Sequence, residues 1–274
     1  MQTKVDIYQS DSQIVRDAID KVIVQFYRKK KENKHTSFLF TGCSAGCGTT
    51  NIAINIAIAL ANAGWRTVLI DSDMRKGMEY KRLNEGLEYG LSDYLLGVTT
   101  NPIYNTNIKN LDYIACGNSH ESPVKLLCSK EMETLDKKLR DEYEYIIYDS
   151  PSIDIVPETE VMVPMVDNVI LVVAVDETST PQLKAAKAKV KAVDGKYMGT
   201  ILNKLDISDY KHYTKQYDYF KTERLERKHK KDIQRILGKG SNTVGGSLDK
   251  VFQNNKIDKN VLEKIKEKKS TKHK

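Results

Sequence analysis

Apolar residues fall along the chain in two rhythms. One is the short unbroken run: SFLFTG (37–42), RTVLIDSD (66–73), NLDYIAC (110–116), EYIIYDS (144–150), NVILVVAV (168–175) and GTILNK (199–204). Runs of this length, rich in β-branched and aromatic residues, read as strands buried on both faces. The other rhythm is recurrence every three to four residues. In residues 11–31, Ile14, Ala18, Val22 and Phe26 recur every four positions and Ile19 and Ile23 widen the stripe, behind a cap at Asp11 or Ser12. Helical patterns return at 49–63, where Gly64 stands as a helix stop, and at 91–97, 123–142, 157–165 and 180–193. Strand and helix alternate, which predicts an α/β fold with a doubly wound, mostly parallel sheet in a Rossmann-like three-layer architecture.

After Lys204 the pattern changes. The stretch DYKHYTKQYDYF is rich in tyrosine, KTERLERKHKKDIQRIL is a highly charged helical pattern, and GKGSNTVGGS reads as a flexible linker. The expected organisation is a helical N-terminal extension (1–35), one α/β domain (36–206), a tyrosine-rich cluster (207–220) and a basic, partly helical and partly flexible tail (221–274).

Charge sharpens that division. The chain of 274 residues has a formal net charge of +7. Residues 221–274 hold 17 Lys and Arg against 7 Asp and Glu, a net +10 that leaves the remainder at −3. Such a tail suits an anionic membrane surface or nucleic acid, or serves only as a solvated, solubilising segment. No run reaches the length of about 18 apolar residues expected of a membrane span, and the N-terminus has no signal-peptide pattern. Cys43, Cys47, Cys116 and Cys128 show neither disulfide nor zinc spacing, so free thiols in a reducing cytosol are expected.

The candidate chemistry begins at the end of the first apolar run. A strand, a glycine turn and a helix start form an anion site, because consecutive backbone N–H groups converge and the helix dipole adds positive charge. The strict phosphate-loop pattern is G-x-x-x-x-G-K-[ST]. The aligned residues are Cys43, Ser44, Ala45, Gly46, Cys47, Gly48, Thr49 and Thr50, followed by Asn51. Gly46 and Gly48 are in place, Thr50 offers a hydroxyl for Mg²⁺, and Thr49 stands where the lysine belongs. Asp71 and Asp73 follow one buried run and Asp149 another. In a parallel sheet those strand ends share one edge with the loop. Each aspartate could merely cap the next helix, but three around one glycine loop point to a P-loop NTPase site for a Mg²⁺-nucleotide.

The combination SAGCGTT, LIDSDMR and IIYDSPS resembles the bacterial tyrosine kinases (BY-kinases) of capsule and exopolysaccharide assembly, which are related to the partitioning and septum-placing ATPases. The resemblance covers roughly residues 36–220 and includes GLSDYLLG (90–97), CGNSHESPVKLL (116–127), VDNVILVV (166–173) and LNKLD (202–206). It implies that Ser44 to Asn51 cradle the phosphates of ATP, with Arg75 beside them. Asp71 would accept the tyrosine proton, Asp73 and Asp149 would help Thr50 hold Mg²⁺, and Asn203 would lie near the base. ATP is favoured over GTP although NKLD also resembles a guanine-reading motif. Tyr210, Tyr213, Tyr217 and Tyr219 would be phosphoacceptors offered to a neighbouring subunit.

The sequence departs from that pattern in three places. The loop lysine is Thr49, with Arg75, Lys76 or a residue of another subunit as candidates to compensate and nothing in the sequence to choose among them. The family's Glu-x-x-Arg-x-x-Arg on the N-terminal helix is replaced by Asp17, Asp20 and Ile23, and the basic tail extends beyond the tyrosines. Cys47, at a helix N-terminus, is either a small turn residue or a redox-sensitive thiol. Three readings stay open: a cytoplasmic tyrosine autokinase working with itself and with a separate membrane polysaccharide-chain regulator; a catalytically degenerate nucleotide-sensing scaffold; and a partitioning-type ATPase on membrane or DNA. The absence of a second loop lysine at Ser44 disfavours the last, and with it nucleic acid as a partner.

Overall fold

The computed structural model describes residues 5–7, 12–33, 36–80, 82–119 and 121–206. Seven strands form one sheet: β1 (Ser37–Gly42), β2 (Thr67–Asp71), β3 (Ile103–Asn105), β4 (Leu111–Ile114), β5 (Tyr145–Asp149), β6 (Asn168–Ala174) and β7 (Tyr197–Asn203). Their order is β3-β4-β2-β5-β1-β6-β7, every pair parallel except β3 with β4. Every residue of β1, β2, β5 and β6 is buried, as their unbroken apolar runs require of central strands.

The helices are α1 (Gln13–Asn33), α2 (Thr49–Asn62), α3 (Leu91–Leu95), α4 (Pro123–Leu127), α5 (Lys130–Glu142), α6 (Pro157–Met162) and α7 (Thr180–Ala192). Side chains of opposite parity on β5 show that they lie on both faces. Tyr145 packs with Phe38 and Trp65, beside Phe26 of α1, whereas the Tyr148 hydroxyl donates to Asp136 of α5 at 3.1 Å. Phe26 is fully buried with its ring 4.2 Å from that of Phe38, so α1 belongs to the cover of the sheet.

Helix α2 ends as its sequence predicts. Gly64 has φ +97°, its N–H reaches Ala61 O, and the next N–H, of Trp65, reaches Leu60 O, the paired bonds of a Schellman stop.

Two expectations are corrected. The helical pattern of 123–142 is two helices: Ser129 breaks it and caps α5, accepting from Met132 N at 3.3 Å. The strand β3 has no counterpart among the apolar runs of the sequence; it is three partly exposed residues at the edge, paired antiparallel to β4. Val5 forms a parallel bridge with Thr106 beside it, through Val5 N–Asn105 O and Asn107 N–Val5 O, both 3.0 Å.

Candidate functional site

Strands β2, β5 and β1 are neighbours, so the residues following them meet at one end of the sheet. Their joins are explicit. Ser72 donates to Asp149 O through its N–H (2.9 Å) and its hydroxyl (2.7 Å). Ser150 N donates to Phe40 O, Thr41 Oγ1 to Pro151 O, and Ser152 Oγ to Gly42 O. A cleft of about 500 Å³ opens above these joins, lined by the loop Ser44–Asn51 and by Asp73, Arg75, Lys76 and the segment 149–152, among others.

The loop is shaped by left-handed glycines, Gly46 at φ +74° and Gly48 at φ +83°. Gly48 is also needed for space, because a Cβ there would lie 2.3 Å from Asn203 Nδ2. That amide donates to Cys47 O at 2.8 Å and pins the loop to the end of β7. Asn203, expected near a base, is therefore placed as a brace of the loop. Helix α2 starts at Gly48 with no side-chain cap and no acidic residue in its first turn. Its N-terminal N–H groups and dipole thus face a cleft free of any carboxylate from the helix itself, which favours an anion.

The structure gathers Thr50, Asp73 and Asp149 at the cleft. Asp71 lies one layer lower, 2 % exposed, around a small void shared with Thr50, Tyr113 and Asp149. It accepts the N–H of Asp73 at 3.1 Å. Asp71 and Asp149 are register partners on adjacent strands, so two carboxylates stand side by side in a buried place. Burial and their proximity push the neighbouring Tyr113 hydroxyl well above its usual pKa. Among the described residues no three His, Cys, Asp or Glu side chains gather closely enough to hold a metal unaided. Hard oxygen donors of this kind, one hydroxyl and one or two carboxylates, fit Mg²⁺ that arrives with phosphates and water as its other ligands.

The two cations of the cleft are held very differently. Arg75 makes a two-pronged ion pair with Glu158, at the first turn of α6, with its Nη2 3.0 Å from Oε2. Glu158 is 1 % exposed and Arg75 half exposed, so pulling Arg75 away would leave a buried carboxylate without its two-pronged partner. Lys76 Nζ lies 3.3 Å from Asp73 Oδ2, and its side chain is 65 % exposed. Asp73 is itself buried, but this is a single contact from a lysine in solvent, and it rearranges more easily than the fork on Glu158. Sequence reasoning missed Glu158 because an acidic residue at a helix start is ordinary; only the fold brings it to Arg75.

Cys47 is buried, with Sγ 3.2 Å from Ser44 Oγ and 3.7 Å from Thr178 Oγ1. Burial works to raise its pKa, but hydrogen bonds from Ser44 and Thr178 outweigh it and the net direction is down. Cys43, sealed beside it, is pushed up to about 11, mainly by burial. The tyrosines Tyr210, Tyr213, Tyr217 and Tyr219 and the basic tail lie outside the described residues.

A parallel sheet with a glycine phosphate loop and carboxylates at its C-terminal edge defines a P-loop nucleotide-binding class. A family model described as an AAA domain matches residues 40–204. CapB of Staphylococcus aureus is 31 % identical over 187 residues, 66 % of this chain and 82 % of that protein. Tyrosine-protein kinase CpsD of Streptococcus pneumoniae serotype 4 is 34 % identical over 171 residues, 61 % of this chain and 75 % of that one. The crystal structure of the chimerical protein CapA2B2 superposes with a TM-score of 0.66 at 26 % identity, over 74 % of this chain and 95 % of that one. The chain belongs to the AAA-domain family and, within it, to the bacterial tyrosine-protein kinases. No helix among the described residues is long and apolar enough to cross a membrane.

Proposed function

We propose that this chain binds MgATP in the cleft and transfers the γ-phosphoryl group to tyrosines of its own kind, Tyr210, Tyr213, Tyr217 and Tyr219, presented by a second copy. The observation that carries the reading is the convergence of an uncapped helix start, the glycine loop, Thr50, Asp73 and Asp149 on one cleft. The N–H groups of the loop receive the phosphate oxygens. Mg²⁺, held by Thr50, Asp73 and Asp149, would neutralise phosphate charge. The tyrosine oxygen bonds to the γ-phosphorus, the bond from that phosphorus to the bridging oxygen breaks, and ADP leaves. The tyrosine proton passes to a carboxylate oxygen of Asp71, whose Oδ1 is held by the N–H of Asp73. Phosphotyrosine charge then tunes assembly with a separate membrane regulator of polysaccharide chains. In this reading the protein is cytoplasmic, and residues 221–274 hold it to the anionic inner face of the membrane.

Thr49 favours a second reading, a nucleotide-sensing scaffold with little or no transfer. Loss of a single charge-stabilising group costs about 10²–10³ in rate. Intact-mass and peptide mass spectrometry after incubation with MgATP separates the two. Phosphate on Tyr210–Tyr219 in the wild type, absent from Asp149→Ala, supports the kinase. Phosphate only in Thr49→Lys supports the scaffold.

A further inference from the structure

The phosphate loop has a threonine in place of its cation, so no side-chain cation of the loop itself faces the charge on the transferring phosphate. The cleft supplies two side-chain cations, Arg75 and Lys76. Arg75 is committed to the buried Glu158 through both carboxylate oxygens. Lys76 is tethered to one oxygen of Asp73 and is largely in solvent, on a flexible four-carbon stem. Asp73, like Asp149, lines the cleft, so the ammonium is parked where phosphate and metal would meet.

We propose that Lys76 takes over the role of the missing loop lysine, leaving Asp73 for the β- and γ-phosphates of ATP once nucleotide enters. The site thus draws its cation from the loop after β2 in place of the loop after β1. As Lys76 turns from Asp73 to phosphate, it frees that carboxylate for its own part in the site. This inference rests on the nucleotide-binding reading above.

The test is equilibrium binding of fluorescently labelled ATP and AMP, with Mg²⁺, to the full chain. Wild type is compared with Lys76→Ala, Lys76→Met (which keeps most of the aliphatic stem), Thr49→Lys, the double variant Thr49→Lys/Lys76→Ala, and Lys184→Ala as a charge control on α7. Thermal melts check that each variant is folded. Expected is an ATP affinity about 10- to 100-fold weaker in both Lys76 variants, AMP affinity changed by less than about twofold, recovery in the double variant and no change in Lys184→Ala. ATP binding that survives in both Lys76 variants would overturn the role of Lys76 while leaving the nucleotide site standing. Equal losses for ATP and AMP would also overturn it, because the contact would then not be to the terminal phosphates. A folded wild type that binds neither nucleotide would sink the nucleotide reading and this inference together.

Discussion

The two ends of the sheet treat charge in opposite ways. Where the strands begin, Arg140 of α5 donates to Asp136 (2.7 Å), Asp167 (2.9 Å), Ser37 Oγ (2.8 Å) and Met165 O (3.2 Å). Asp167 in turn accepts the N–H groups of Thr36 and Ser37. Where the strands finish, Asp71 and Asp149 stand side by side, and the cations wait outside on Glu158 and Asp73. The first end is satisfied by its own side chains. The second sets two carboxylates side by side in a buried place, where like charges weaken the free protein, and in the proposed function their cation comes with the nucleotide. The difference separates residues that hold this fold from residues that use it.

The comparison can be broken, and the largest effect is expected at the cleft. Asp149→Ala should lower phosphotyrosine formation by about 100-fold or more, while the melting temperature stays level or rises. A fall in melting temperature comparable to that of an Arg140 variant would erase the contrast. At the opposite end, Arg140→Ala should lower the unfolding free energy in urea by about 3 kcal/mol, since it strands a partly buried carboxylate, with ATP affinity of the folded protein unchanged. Gly48→Ala belongs to both ends of the scale. The left-handed backbone costs about 1–2 kcal/mol in stability, and the displaced loop should weaken ATP binding more than AMP binding in the same assay.

The smallest expected effect concerns acid. Burial works to raise the pKa of Asp167, but the N–H groups of Ser37 and Thr36 and the Arg140 guanidinium outweigh it and hold the carboxyl at about 2, against an ordinary 3.8. A depressed carboxylate adds stability that is complete above its unfolded value and is lost as pH falls through the folded one. Its share should therefore persist above about pH 4 and vanish between about pH 4 and pH 2. Circular dichroism against pH should show the acid transition of Arg140→Ala moved upward, because the guanidinium that helps hold the proton off is gone. An unmoved transition would mean that Asp167 does not couple folding to pH.

Much of this molecule is legible in its amino-acid sequence. The central strands stand out because burial on both faces removes any reason for polar alternation, as in ILVVA of β6. Strand β3 does not, because its three residues are held by the neighbouring β4 and not by their own character. The break at Ser129 hides inside a pattern that stays apolar on both sides, from Leu126 and Leu127 to Met132, Leu135 and Leu139. In the site, the loop and the three aspartates can be read locally, since each stands at or just after the end of a strand. The bracing of the loop by Asn203 and the capture of Arg75 by Glu158 cannot, because those partners are far apart in the chain and no local pattern marks them. Thr49 can be read as a loss, and Arg75 and Lys76 as nearby cations; that Arg75 is taken by Glu158 and Lys76 rests on Asp73 shows only in the fold.

The amide of Asn203 pressed against Gly48 also bears on how this sequence can drift. A side chain at position 48 would meet that amide, and a shorter residue at position 203 would drop the Cys47 carbonyl. Neither change is neutral alone, and the second removes the steric obstacle to the first while the left-handed backbone at position 48 still favours glycine. Descendants of this chain should therefore give up Gly48 only after Asn203, so that the two positions drift in one order even though they stand near opposite ends of the domain's sequence.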